Sequence, residues 1–164
     1  MIQYIKVYEE NKILDDLFNV KYPQMSAEIF KKNALELMVE IGELANETRC
    51  FKYWSIKGPS DKTDILDEYA DCILMVLMFC NYIDVSLDEE FDVLSSRDIN
   101  DHFIYLYKLC SNIMDNYNKD YVKKVFANFI YLGSLLGFTD EDIISGCLLK
   151  INRNKQRLLD DFSH

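Results

Sequence analysis

The sequence predicts an all-α fold: a helical bundle of about five to seven helices around a four-helix core able to hold a metal. Three observations carry that prediction. Only five Gly and two Pro interrupt 164 residues, while Leu, Ile, Lys, Glu and Asp are plentiful, which favours long helices with few breaks. With 49% hydrophobic residues the chain can bury a sizeable core, and one domain over residues 1–164 accounts for its length. Two acidic pairs, Glu40-x-x-Glu43 and Glu68-x-x-Asp71, sit in stretches that read as helix, where i, i+3 spacing puts both carboxylates of a pair on one face.

A first helix is expected over about residues 2–19, ending before Lys21-Tyr22-Pro23 because the residue before proline avoids helical geometry. Ser26 is suited to cap a second helix running to about Arg49, with Glu28 in its first turn. Residues 50–62 combine aromatics, lysines and a Gly-Pro break and read as an ordered loop. A third helix is expected from Thr63 to about Ile83. Its first half carries Asp64, Asp67, Glu68 and Asp71, and its second half is apolar all round, which requires burial by the same chain or by a second subunit. Ser86 can cap a short helix through about Leu94, and further helices are expected at about 99–117 and 119–136. In the fourth of the long helices, His102, Tyr105, Leu109, Ile113 and Tyr117 read as packing. Thr139-Asp140-Glu141-Asp142 resembles a capping box that starts a last helix to about Leu159.

A net charge of −10 argues against a nucleic-acid backbone or an anionic membrane as the main partner. The longest apolar run, Cys72–Cys80, is too short to span a bilayer. No secretory signal is evident, so a cytoplasmic location is expected. Five cysteines without CxxC spacing point to core packing in a reducing compartment.

Glu36, Glu40, Glu43 and Glu47 form a stripe along one face of the second helix, and like charges at that spacing destabilise a helix by about 0.2–0.5 kcal/mol a pair. A solvated face would explain one such stripe. A second one, Asp64, Glu68 and Asp71, leads straight into the most apolar segment of the chain, where a solvated face has no reason to be. If the two faces oppose each other, a bound cation offsets their repulsion. The only histidines, His102 and His164, lie away from both pairs, so ligation by oxygen alone points to Mg²⁺, with Mn²⁺ able to substitute. Such a site suits metal-assisted chemistry on phosphoanhydrides.

Glu40-x-x-Glu43 followed by Glu68-x-x-Asp71 resembles the metal signature of the all-α nucleoside triphosphate pyrophosphohydrolases, the MazG-like superfamily. Glu43-Leu44-Ala45-Asn46-Glu47-Thr48-Arg49 and Phe51-Lys52-Tyr53-Trp54-Ser55 are similar to its dimeric dUTPase branch. Lys150, Asn154 and Arg157, at steps of four and three, resemble the family's K-x-x-x-N-x-x-R phosphate-contacting motif, although cations near a helix C-terminus also complement its dipole. The similarity extends over residues 8–162. Three positions depart from the common pattern. Asn11 precedes Leu14-Asp15 where many members have a base-contacting Gln; Asp71-Cys72-Ile73-Leu74-Met75 stands where Asp-Gly-Ile-His-Phe is frequent; and Phe162 replaces a frequent Tyr. Base selectivity is more exposed to these changes than catalysis.

The resemblance implies hydrolysis of dUTP to dUMP and pyrophosphate by a homodimer, with metal ligands Glu40, Glu43, Glu68 and Asp71 and with water attack at the α-phosphorus. Glu43, with Glu40 as its competitor, would take the proton of the attacking water. Lys150 and Arg157, with Lys52, would neutralise phosphates, while Asn11 and Asn154 would contact the nucleotide. Trp54 either covers the deoxynucleoside or packs in the core. The near alternative is the same chemistry on dCTP or several dNTPs, and the resemblance also implies that a regulatory protein can bind the chain. A non-catalytic helical dimer that binds a protein partner is the alternative from a different class.

Overall fold

The computed structural model describes residues 1–162; Ser163 and His164, and the side chain of Phe162, lie outside the described residues. A 3₁₀ turn, Ile2–Tyr4, leads into six α-helices: α1 (Ile5–Lys21), α2 (Ala27–Thr48), α3 (Lys62–Tyr82), α4 (Ile99–Ser111), α5 (Lys119–Leu135) and α6 (Asp140–Phe162). No strand occurs among the described residues. No helix among them is long and apolar enough to cross a membrane.

Local chemistry starts and stops these helices. Ser26 Oγ accepts the Ile29 N–H at 3.2 Å and opens α2. Arg49 ends it in the left-handed region, φ 57°, donating its N–H to Ala45 and Asn46 carbonyls. Thr139 and Asp142 cap α6 reciprocally, Asp142 N–H to Thr139 Oγ1 at 3.1 Å and Thr139 N–H to Asp142 Oδ2 at 2.9 Å. The loop after α2 is ordered, as expected: the Arg49 guanidinium holds Ser55 Oγ at 2.8 Å and the Lys57 carbonyl at 3.2 Å, and Asn100 Nδ2 reaches the Cys50 carbonyl at 3.1 Å.

Helix α3 is the central element, packed on α1, α2, α5 and α6. Ile65, Tyr69, Ile73, Val76, Leu77, Phe79 and Cys80 are all buried by the chain itself. The apolar second half of α3 therefore needs no second subunit to cover it, which removes that argument for a dimer. Cys72, Cys80, Cys110 and Cys147 are buried free thiols and Cys50 is half-buried, so cysteines serve mostly as small core residues. Tyr69 donates to the Phe129 carbonyl on α5 at 2.7 Å, and a Cβ on Gly133 would lie 2.4 Å from the Tyr69 oxygen. A glycine is what lets α5 close on α3.

Two expectations fail. The segment Ser86–Leu94 is irregular, with a bend at Asp88–Glu89, and not helical. Val85 and Leu87 alternate into the core, the Ser86 hydroxyl bonds the Asp88 carboxylate rather than a helix end, and Leu94 N–H is taken by Asn128 Oδ1 of α5 at 3.1 Å. Lys123 of α5 holds Asp88 and Glu89 at 3.7 and 3.4 Å. Partners on another helix thus replace the intrahelical bonds a short helix would make. Helix α4 also stops at Ser111, short of Tyr117, because Ser111 and Asn112 side chains both donate to the Lys108 carbonyl and compete with continuation. His102 is fully buried, its ring tilted against that of Tyr131 with centroids 5.0 Å apart, in keeping with a packing role.

Candidate active site

A cavity of about 360 Å³ opens between α1, α2, α3 and α6. Each helix gives it one face. Asn11, Leu14, Asp15, Phe18 and Tyr22 come from α1 and its end; Ile29, Asn33, Glu36 and Glu40 from α2; Asp71, Leu74, Met75, Met78 and Tyr82 from α3; Asn154, Arg157, Leu158 and Asp161 from α6. Steps of three and four along each helix produce this convergence. Phe30 of α2 meets Phe79 of α3 with ring centroids 5.3 Å apart, so the two helices run antiparallel from the carboxylates Glu40 and Asp71 toward an apolar and amide-lined end. The volume lies in the ordinary range of small-molecule sites, about 300–1,000 Å³. α6 can approach α3 because position 146 is glycine: a Cβ there would lie 2.9 Å from Leu66 Cγ.

At the acidic end, Glu40, Glu68 and Asp71 each present an oxygen within 4.8 Å of the others. Glu40 Oε2 and Glu68 Oε2 are buried without a hydrogen-bond partner, a costly state for an acceptor. Burial, then Asp71, Glu43 and Glu68, push the Glu40 carboxyl up to about 8. Burial, then Asp71 and Glu43, push Glu68 up to about 7 against the opposing pull of Lys150. Burial also raises Asp71, with Lys150 opposing. Three crowded carboxylates with two orphaned oxygens fit a hard divalent cation, which would supply the missing partner and hold all three ionised. Glu43, the fourth predicted ligand, lies outside this group; it is exposed and neighbours Glu40 closely enough to share a hydrogen bond.

The cationic face of α6 is divided. Asn154 and Arg157 line the cavity. Lys150 does not face it as a free phosphate ligand: its Nζ lies 2.9 Å from Asp67 Oδ1 and 3.2 Å from Asp71 Oδ1. Burial would lower the Lys150 amine, but Asp67 and Asp71 outweigh it and raise it overall. Arg153 Nη1 shares Asp67 Oδ1 at 2.9 Å. Asn11 is buried in the cavity wall, with Nδ2 donating to the Leu74 carbonyl at 3.0 Å. Lys52 and Trp54 are not among the cavity residues. Trp54 is 65% exposed and meets Tyr53 edge to face, 5.2 Å between centroids, so within one chain it neither packs in the core nor covers the cavity.

Sequence reasoning passed over Asp15, which lines the cavity four residues after Asn11. Burial raises its carboxyl to about 7, opposed by the hydrogen bond from Asn81. The helical step from Asn11 was the available signal. It also passed over Asp67 as the partner of Lys150 and Arg153, a pairing between residues on separate helices.

A search of curated proteins finds no match. The sequence profile of the dUTPase family, by contrast, matches residues 3–162, nearly the whole chain. That match, the all-helical architecture and the carboxylate-lined cavity agree. The chain belongs to the dUTPase family, in its all-α, dimeric branch, and is an enzyme that hydrolyses dUTP.

Proposed function

We propose that the chain is a Mg²⁺-dependent dUTP diphosphatase that cleaves between the α and β phosphates, with Mn²⁺ able to substitute. The observation that carries this reading is the group Glu40, Glu68 and Asp71, with two orphaned oxygens, of which Glu40 and Asp71 line a cavity of about 360 Å³. A divalent ion held there would neutralise phosphate charge and acidify a water. Glu40, Glu68 and Asp71 hold the ion. Glu43, exposed beside Glu40, takes the proton of the attacking water, because Glu40 is committed to the ion. Arg157 and Lys150 bind phosphate oxygens. Asn154 and Asn11 orient the nucleoside, whose base rests against Leu14, Phe18, Met78 and Tyr82.

The reading includes a cytoplasmic, one-domain protein that acts as a homodimer. Phe51, Tyr53, Trp54 and Ile56 present an exposed apolar cluster on the loop after α2, the kind of surface a second copy covers. Lys52 and Trp54 then act at that contact rather than in the cavity of their own chain.

Glu68→Ala and Asp71→Ala are expected to abolish dUTP turnover while the far-UV circular dichroism stays that of the parent. Substantial turnover in either variant would sink the metal assignment.

A further inference from the structure

The amine expected to wait for phosphate is already among carboxylates. The Lys150 side chain is only 6% exposed. Its Nζ lies 2.9 Å from Asp67 Oδ1 and 3.2 and 3.3 Å from the two oxygens of Asp71. Asp71 belongs to the group that converges with Glu40 and Glu68; Asp67 does not. Both oxygens of a ligand carboxylate are thus already paired with a cation.

We propose that Lys150 is a resident counter-cation of the carboxylate group: its ammonium holds Asp71 while the metal is away, gives that carboxylate up when the metal arrives, and moves to the nucleotide phosphates. This rests on the metal reading above. Two cations drawn to one carboxylate repel each other, so an ammonium within 3.3 Å of both Asp71 oxygens opposes metal entry. Once displaced, the same ammonium loses one of its two carboxylates and gains by taking another anion. Lys150, Asn154 and Arg157 occupy one face of α6, and the latter two line the cavity, so the flexible four-carbon stem of Lys150 can swing toward phosphates bound beside them. Asp67 has a second cation, Arg153 at 2.9 Å, and stays paired when Lys150 leaves.

Two consequences follow for binding. Without nucleotide, metal binds weakly because Lys150 has no phosphate to exchange for Asp71. With a triphosphate present, Lys150 is relieved of Asp71, so metal and nucleotide strengthen each other's binding through this residue in addition to any direct contact between them.

The test is Mn²⁺ binding to the full chain without nucleotide, read from the electron paramagnetic resonance signal of free Mn²⁺. Lys150→Met is expected to bind Mn²⁺ about tenfold more tightly or better than the parent. Arg153→Met removes the same charge from Asp67 but not from Asp71, and is expected to stay within about twofold of the parent. Unchanged or weaker binding by Lys150→Met overturns the proposal, because a residue that only contacts phosphate would have no effect here. An equal gain in Arg153→Met also overturns it, since that would be a general field effect. If Lys150→Met fails to fold by circular dichroism, Lys150→Gln carries the same expectation. A parent protein that binds no Mn²⁺ at all contradicts the metal reading itself, an outcome distinct from a bound metal indifferent to Lys150. As a second readout, the gain in Mn²⁺ affinity caused by non-hydrolysable α,β-imido-dUTP should be smaller in Lys150→Met than in the parent; an equal gain would overturn the exchange to phosphate.

Discussion

Replacing Glu40 by Gln should make the metal-free protein more stable at neutral pH while removing its response to metal. The unfolded chain ionises Glu40 near 4.5, whereas burial and the carboxylates around it hold the folded carboxyl up at about 8. Between those values the native state binds more protons than the unfolded state, so stability falls as pH rises through that window. Each pH step from 4.5 to 7 costs about 1.4 kcal/mol, an upper bound of about 3 kcal/mol at pH 7. Glu40 is only partly buried and water screens it, which reduces the realistic figure to about 1–2 kcal/mol. Gln keeps the shape without the charge and recovers that amount. Urea denaturation in EDTA, followed by circular dichroism, measures it: Glu40→Gln should exceed the parent by about 1–2 kcal/mol at pH 7 and match it near pH 4.5. Adding Mg²⁺ should then stabilise the parent and leave the variant unmoved. A variant no more stable than the parent at pH 7, or one that Mg²⁺ stabilises equally, would refute the idea that these carboxylates repel one another until a cation binds.

Asp15 makes a similar prediction in the cavity wall. Its carboxyl is raised from 3.8 to about 7, mainly by burial, so Asp15→Asn should be close to neutral at pH 4 and stabilising by up to about 2 kcal/mol at pH 8, measured by thermal melts across that range. Gly133→Ala should destabilise by about 1–3 kcal/mol, because the new methyl would lie 2.4 Å from the Tyr69 oxygen. Tyr69→Phe in the same chain should restore part of that loss, and strictly additive losses in urea denaturation would show that the clash is not the cause.

Much of this architecture is written locally. The caps at Ser26 and at Thr139–Asp142 were legible because each bond joins residues three apart. The acidic face of α2 and the start of α3 were legible because helical periodicity aligns residues without reference to the rest of the fold. What could not be read depended on partners far along the chain. The irregular course of Ser86–Leu94 answers to Asn128, 34 residues beyond Leu94, and Lys150 finds Asp71 across 79 residues. Periodicity put Glu40 and Glu43 on one face but could not say which oxygens converge on a point, and only Glu40 joins Glu68 and Asp71. Trp54 was ambiguous for the same reason: a loop tryptophan is buried or bare according to what packs on it, and in this chain it is largely bare.

The most direct test of the account is pyrophosphate release from dUTP, dCTP, dTTP and dATP, each with Mg²⁺ and with EDTA. The account predicts dUMP and pyrophosphate from dUTP in Mg²⁺, none in EDTA, and little from the other three. Release from several nucleotides would keep the carboxylate chemistry and contradict the assigned base selectivity. No release from dUTP in Mg²⁺, or release that persists in EDTA, would contradict the central claim.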